Sequence, residues 1–512
     1  MNRVYITTPL YYVNAEPHLG HTYSTVVVDT LARWHRARGS EVIFVTGTDE
    51  HGDKIAQAAA AAGVTPRAHA DRFSQLFRDT WDRCGLRYDY FIRTTDPDHV
   101  ATVQDLLRRI HAAGDIYFGS YGGLYCYGCE RFYTEKELVD GTCPDHRVAP
   151  TYIEEKNYFF RMSAYQQRLA EDLEAHPDRI VPERYRNEVL ALLRGDALGD
   201  LCISRPKARL TWGIELPFDP DYVSYVWFDA LIGYVSAIRH LTGDQYEDWW
   251  REAQHLIGKD IVKPHGVFWP SMLMSAGLPL FKGLRVHGYW TRGESKMSKS
   301  LGNVIRPLDM QQRFGMDAFR YFLLREMAFG QDATFSEDAF VTRVNADLAN
   351  NLGNLVSRTL AMQQRYFQGA VQPLGAWTAE DHALADAFTA AVGEMPQHME
   401  QLAIHRALEA LWRAIDAANK YIVTTAPFSL AKDPATAPRA GAVLHHLLEA
   451  LYVVGVQLGP FLPESAAKIF AMLDVPGRRA LDADWRWGTA VPVGHVTRKP
   501  EILFPRIDME AQ

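Results

Sequence analysis

Val4-Tyr5-Ile6-Thr7-Thr8-Pro9, followed by His18-Leu19-Gly20-His21, is the stretch that decides the fold. The first run is β-rich and closed by Pro. Beyond the second, Thr22 to Arg38 carries apolar side chains at Val26, Val27, Leu31 and Trp34, a helical spacing. HLGH therefore falls at a strand-to-helix turn, where the first helical N–H groups lack partners and the dipole favours an anion. Gly20 has no Cβ, which lets a nucleotide approach the backbone. Each imidazole can donate to phosphate oxygens whose charge grows in an in-line displacement. One such His alone reads as a satisfied core or surface imidazole. Two of them bracketing Leu-Gly at this junction read as ligand contacts.

Working outward, the alternation continues to about residue 115: strand 3–8, helix 21–38, strand 41–46, helices 53–62 and 67–84, strand 90–94 and helix 97–114. That is the first half of a doubly wound parallel sheet. Residues 116–224 are richer in turns and read as an insertion. The sheet is expected to resume near 225, with strands at His255-Leu256-Ile257 and Leu284-Arg285-Val286-His287. From about 345 helical patterns take over, at 344–355, 402–421 and 441–458, which suits an antiparallel helix bundle. Residues 369–378 and 431–438 read as loops. The expected division is 1–115, 116–224, 225–290, 291–344 and 345–512.

Within the insertion, Cys126-Tyr127-Gly128-Cys129 precedes Cys143-Pro144-Asp145-His146, a C-x2-C-x13-C-x2-H pattern. Two tight turns bring four soft donors to one point, as a structural Zn²⁺ requires, and four ligands leave no open catalytic position. Disulfides and thiol redox chemistry are the alternatives. The first needs an oxidising compartment, and the second leaves the third Cys and the His unexplained. Cys84 and Cys202 read as buried small side chains.

Lys296-Met297-Ser298-Lys299-Ser300 lies between Gly293 and Gly302. Two lysines and two hydroxyls in so short a span form a clamp for polyphosphate, or else a solvated basic turn. Composition sets outer limits. The chain has 512 residues, is 47% hydrophobic and 23% charged, and carries a net charge of −8, an ordinary soluble globular balance. That charge argues against a generic nucleic-acid binder. Nucleic-acid binding would depend on local basic surface, such as Arg184, Arg186, Arg205, Lys207 and Arg209, which read equally as a solvated face. No stretch approaches the ~18 unbroken apolar residues of a membrane helix, and the first strand leaves no room for a leader, so a cytoplasmic enzyme is expected.

HLGH followed by KMSKS resembles the class I aminoacyl-tRNA synthetases, and the likeness extends to the methionyl-tRNA synthetase family. It runs through Thr7-Thr8-Pro9-Leu10-Tyr11-Tyr12-Val13-Asn14, Gly47-Thr48-Asp49-Glu50-His51-Gly52 and Trp212-Gly213-Ile214. It continues through Val226-Trp227-Phe228-Asp229-Ala230-Leu231, Gly258-Lys259-Asp260-Ile261 and Leu503-Phe504-Pro505-Arg506-Ile507. The resemblance implies an α/β Rossmann-type sheet split by a zinc-binding insertion and followed by an α-helical anticodon-binding bundle. It also implies methionine activation by ATP with Mg²⁺, then transfer to tRNA(Met), initiator tRNA included.

By that resemblance His18 and His21 stabilise the α- and β-phosphates, with Gly20 beside the nucleotide, while Lys296, Ser298 and Lys299 take the pyrophosphate. Lys259 and Asp260 border the nucleotide; Asp260 accepts from a ribose hydroxyl or stays in a surface turn. Asp49 and the Leu10 carbonyl anchor the methionine ammonium. Tyr12, Trp227, Ala230, Leu231, Tyr234, Ile261 and His265 line the side-chain slot, where Tyr and His donors can recognise sulfur. Without the family, Trp227 and Tyr234 would read as core. Asn354 and Arg358, four apart on one helix face, contact the anticodon together with Phe428. Pro264 and Phe428 depart from the family, which has an aromatic and a Trp there. The rivals are synthetases for leucine, isoleucine, valine or cysteine, and a non-catalytic tRNA-binding paralogue. The first three need a larger editing insertion, the cysteine enzyme an open zinc site, and the paralogue decayed motifs. A monomer is expected.

Overall fold

Strands and helices alternate from the start of the chain: β1 (Arg3–Tyr12), α1 (Leu19–Ala37), β2 (Glu41–Asp49), α2 (Asp53–Ala61), α3 (Pro66–Arg83), β3 (Tyr90–Arg93) and α4 (Pro97–Ala112). The computed structural model describes residues 2–508 except 128–130, 134, 136–137, 145–146, 196–197, 293–294, 297–303 and 477–484. Two compact units divide the chain. One is Asn2–Val28 with Val42–His287, the other Asp29–Glu41 with Gly288 onward, so the division falls inside α1.

The first unit continues with β4 (Ile116–Cys126), β5 (Arg131–Tyr133), β6 (Thr151–Phe160), α5 (Gln166–Ala175), β7 (Ile180–Val181), α6 (Glu183–Arg194), β8 (Leu201–Cys202), β9 (Ser204–Pro206), β10 (Glu215–Leu216) and β11 (Asp219–Ser224). It closes with α7 (Val226–Ala230), α8 (Gly233–Thr242), α9 (Tyr246–Trp250), β12 (Ala253–Gly258), α10 (Trp269–Ser275) and β13 (Gly283–His287). Its main sheet runs β3-β2-β1-β12-β13-β7, and β12 pairs parallel with both β1 and β13. Val4, Tyr5, Ile6, Phe44, Val45 and Ile92 are all buried, the near-continuous apolar character of parallel strands covered on both faces. Chain order reverses between β1 and β12. That places a topological switch point at their carboxyl ends, where α/β sheets bind ligands.

Two details differ from the sequence reading. The sheet does not resume near 225: the apolar run there repeats at helical spacing and forms α7 and α8, and β12 enters only at Ala253. Residues 116–224 also hold two structures. β4 pairs antiparallel with β6 from Ile116↔Phe160 to Tyr125↔Thr151, giving a sheet with β5 and β8. Leu169, Leu173, Tyr185, Val189 and Leu193, however, form apolar helix stripes buried in the main core, and β7 extends the parallel sheet beside β13.

The second unit contains β14 (Trp290–Arg292), β15 (Ser295–Lys296), α11 (Pro307–Phe314), α12 (Met316–Glu326), β16 (Ala333–Thr334) and α13 (Glu337–Arg343), then a π-helical stretch, Val344–Gly353. After it come α14 (Asn354–Phe367), α15 (Ala379–Glu400), α16 (Ile404–Thr425), α17 (Pro427–Leu430), α18 (Ala437–Leu458) and α19 (Pro463–Leu473). α18 is long and apolar enough to cross a membrane, yet it is buried from Ala440 to Leu458 inside the helical unit. Arg320, 1% exposed, donates to Asp29 at 2.6 Å and to the Phe461 carbonyl at 2.7 Å. Removing either charge of such a buried pair costs about 3–5 kcal/mol.

Candidate active site

α1 starts at Leu19, so His18 is its N-cap, Gly20 the second residue and His21 the third. The two imidazoles cap the helix reciprocally. His18 Nδ1 accepts the Gly20 N–H at 3.0 Å, and His21 Nδ1 accepts the His18 N–H at 3.3 Å. This is the logic of a capping box with histidines in place of Ser/Thr and Glu/Gln. A backbone N–H only donates, so both Nδ1 atoms are acceptors and the neutral rings carry their proton on Nε2. The rings stack with centroids 3.8 Å apart. Tyr11 and Phe77 hold the His21 ring at 5.0 and 5.4 Å, and the Tyr11 hydroxyl donates to the His21 carbonyl at 3.1 Å. Gly20 has a second use besides the expected backbone approach of a nucleotide. A Cβ there would lie 3.0 Å from His18 Cε1, so the glycine makes room for the folded-back imidazole.

At the end of β12, Lys259 and Asp260 form a short 3₁₀ turn with Ile261. Gly258 precedes it, and a Cβ there would lie 2.7 Å from Asp260 Oδ1. Behind this turn lies the aromatic slot. Tyr234 and His265 are buried, and Trp227 is half-buried with its ring 6.0 Å from His265 in a T-shaped contact. His265 Nδ1 donates to the Ile261 carbonyl at 2.9 Å, which leaves Nε2 to accept the Tyr234 hydroxyl at 2.9 Å. Burial pushes His265 down to about 4, so the ring is neutral at physiological pH. Both donors expected to recognise sulfur are therefore committed to each other and to Ile261. The slot offers ring edges rather than spare N–H and O–H groups. Behind Tyr234, His255 stacks at 4.2 Å and meets Thr7 Oγ1 at 2.9 Å. Pro264 opens a buried π-helical turn that carries His265.

Asp49 ends β2 and is 6% exposed. Its neighbours are held firmly. Glu50 takes Arg93 Nε and Nη2 at 2.8 and 2.9 Å, and His51 Nδ1 meets Asp229 at 2.6 Å. Tyr12 donates to the His51 carbonyl at 3.0 Å. Leu10 is half-buried, and Ala230 and Leu231 are buried in the main core. The sequence reading missed His51, Asp229 and His99. The signal for Asp229 was a lone carboxylate inside the apolar run 226–232.

Of the expected zinc ligands, Cys126 and Cys143 are buried free thiols in one small cluster with Tyr133, whose hydroxyl lies 3.3 Å from Cys143 Sγ. Two buried thiols gathered by turns suit a thiolate-bound metal. Cys129 and His146 lie outside the described residues. So do Ser298 and Lys299, while Lys296 ends a short hairpin strand opposite Thr291. Asn354 and Arg358 are exposed on one face of α14, and Phe428 is 40% exposed on α17 of the same unit. Of the five basic residues considered as tRNA surface, Arg184 is exposed, Arg186, Lys207 and Arg209 are half-buried and Arg205 is buried. Arg205 is buried against the rings of Tyr125 and Tyr225, and Arg209 bridges Asp53 and Glu155. Lys207 and Arg186 pair with Glu215 and Glu183, and Arg184 lies over Tyr185. Arg205 and Arg209 are thus engaged inside the fold, Arg186 and Lys207 are paired at the surface, and Arg184 keeps an exposed charge.

The sequence matches the family described as tRNA synthetases class I (M) over residues 4–152 and 146–360, and the anticodon binding domain of methionyl tRNA ligase over 371–512. It is 42% identical over 510 residues to the methionine–tRNA ligase of Caldanaerobacter subterraneus subsp. tengcongensis, spanning 99% of this chain and 79% of that one. For the methionine–tRNA ligase of Deinococcus radiodurans the figures are 44% over 514 residues, 99% and 75%. The Mycobacterium tuberculosis methionyl-tRNA synthetase in complex with methionyl-adenylate superposes with a TM-score of 0.94 at 41% identity, covering 99% of this chain and 100% of that one. Its apo form gives 0.86 at 37% identity, with 99% of each chain covered.

Proposed function

The chain belongs to the methionyl-tRNA synthetase family, and from that premise we propose the following working of its site. L-Methionine and ATP give methionyl-adenylate and pyrophosphate, and the methionyl group then passes to the terminal ribose of tRNA(Met), initiator tRNA included. In the first step a methionine carboxylate oxygen attacks the α-phosphorus in line and pyrophosphate leaves. In the second a ribose hydroxyl attacks the methionyl carbonyl and AMP leaves. Neither step needs a protein nucleophile, so catalysis rests on position and charge stabilisation.

The observation that carries this reading is the histidine capping pair. With each Nδ1 committed to a backbone N–H, each ring presents Nε2–H as its donor, at a helix N-terminus beside the switch point of the sheet. Such donors reach phosphate oxygens without reorganising during the reaction. Lys259 and Asp260 flank the nucleotide from β12, and Lys296, Ser298 and Lys299 receive the pyrophosphate. Asp49 anchors the ammonium group together with the Leu10 carbonyl. The slot of Tyr12, Trp227, Ala230, Leu231, Tyr234, Ile261 and His265 takes the thioether. Mg²⁺ carried by the ATP phosphates would neutralise part of their charge. Cys126, Cys129, Cys143 and His146 would hold Zn²⁺, which would crosslink the knuckle. Asn354, Arg358 and Phe428 read the anticodon, and the enzyme works as a cytoplasmic monomer.

Aminoacylation of tRNA(Met) transcripts tests this. Charging with methionine should require the CAU anticodon, and indifference to a changed anticodon would refute the assignment of the helical unit. A single peak at the monomer mass in light scattering should accompany it.

A further inference from the structure

Asp229 lies 1% exposed on the pocket helix α7, immediately before Ala230. One carboxylate oxygen meets His51 Nδ1 at 2.6 Å and the other meets His99 Nε2 at 2.6 Å. His99 is equally buried in the first turn of α4. Its Nδ1 meets the Ser236 hydroxyl on α8 at 2.9 Å, and that hydroxyl donates onward to the Ile232 carbonyl at 3.1 Å. Both nitrogens of His99 therefore face acceptors, and both oxygens of Asp229 accept. Burial raises the Asp229 carboxyl, but the two imidazoles outweigh it and hold the group below the ordinary carboxylate range.

Three segments converge on this one carboxylate: the Asp49–His51 segment after β2, the start of α4, and the α7–α8 wall that carries Trp227, Ala230 and Tyr234. The Asp49 segment has few other ways to move. The Asp49 carbonyl accepts the Val13 N–H at 3.2 Å, Glu50 is held bidentately by Arg93, and Trp212 Nε1 donates to the Glu50 carbonyl at 2.5 Å. The His51–Asp229 contact joins the segment directly to the wall.

We propose that Asp229 and His99 are positioning residues for methionine: acting through His51, they fix the distance between the ammonium anchor Asp49 and the α7–α8 wall that holds the thioether. The inference rests on the roles of Asp49 and Trp227 proposed above. Methionine is held at both ends, so a small shift of one end relative to the other lowers affinity for the whole amino acid. On the roles proposed above, ATP is held instead by His18, His21, Lys259 and Asp260. A merely structural network would instead lower stability and leave no preference between the two substrates.

The test is methionine-dependent ATP–pyrophosphate exchange by the full chain, with methionine and ATP varied separately and Tm measured in parallel. The variants are Asp49→Asn, Asp229→Asn, His99→Leu and His99→Gln. Asp229→Asn and His99→Leu should raise the methionine KM about tenfold to a hundredfold, with the ATP KM within about twofold of the parent. In His99→Gln the amide nitrogen occupies the place of Nε2 and should bring the methionine KM back to within about threefold of the parent. An unchanged methionine KM in Asp229→Asn, a parallel rise of both KM values with falling Tm, or equal defects in His99→Leu and His99→Gln would overturn the proposal. If Asp229→Asn does not fold, the His99 pair decides alone. Asp49→Asn separates the two levels. If it leaves the methionine KM unchanged, the ammonium assignment fails; if it raises that KM while Asp229→Asn does not, only the positioning role fails.

Discussion

Replacing His18 or His21 by Asn separates the capping contact each imidazole makes from the phosphate-donor role proposed for it. An Asn side-chain oxygen reaches nearly the same place as Nδ1, and Asn is among the best N-cap residues, so His18→Asn keeps the acceptor for the Gly20 N–H now made at 3.0 Å. His21→Asn likewise keeps an acceptor for the His18 N–H. Neither variant has a donor in the place of Nε2. Loss of a cap costs about 1 kcal/mol, whereas loss of a pre-organised donor to a developing anion costs about 2.7–4 kcal/mol, on the order of 10²–10³ in rate. Each Asn variant should therefore match the parent in thermal stability and lose about two to three decades in the single-turnover rate of adenylate formation. His18→Ala should lose both. Rapid-quench measurement of adenylate with saturating ATP and methionine, beside calorimetry, reads the two quantities apart. An Asn variant that keeps adenylate formation within about threefold of the parent would refute the Nε2–H role, and one that unfolds as early as the Ala variant would refute the capping role.

Other outcomes follow from the same structure. Arg358→Ala should lower kcat/KM for tRNA charging about tenfold while methionine-dependent pyrophosphate exchange stays unchanged, because the exposed side chain lies on the helical unit. A parallel loss in exchange would contradict this. Phe428→Trp should strengthen tRNA binding modestly by adding an indole N–H and a larger stacking face, read as a lower KM for tRNA. Cys143→Ser should reduce bound zinc, measured by atomic emission, and lower Tm through loss of the crosslink; full zinc content in the variant would exclude this residue as a ligand. For pH, burial lowers His265 to about 4 in the folded chain, against about 6.5 when unfolded. Between those values the unfolded chain binds the proton and the folded chain does not, so this stability is fully present above about 6.5 and is lost as pH falls toward 4. The contribution is on the order of 3 kcal/mol, and His265→Gln should flatten the fall of Tm across that window.

Local pattern made much of this legible. The β1–HLGH–α1 junction showed itself because a Pro-closed β-rich run meets a helical apolar repeat, and the helices from 345 onward announced themselves by the same repeat. What escaped was geometry set by distant partners. The reciprocal cap depends on how two rings fold back over Gly20, and composition carries no trace of that. The Asp229 network joins positions near 51, 99, 229 and 236, which only the folded sheet brings together. β7 is two residues long, too short for any period to register, and it takes its place from the sheet rather than from its own propensity. Charge was visible at Arg205 and Arg209, but not that tyrosines and carboxylates already occupy them. The donors of Tyr234 and His265 were visible too, but not that each is spent on a neighbour.

ATP–pyrophosphate exchange across a panel of amino acids tests the central claim most directly. The slot between Asp49 and the Trp227–Tyr234–His265 wall should support exchange with methionine and exclude leucine, isoleucine, valine and cysteine. Exchange driven by leucine or cysteine, and not by methionine, would contradict the account whatever the histidines and lysines at the phosphate end are doing.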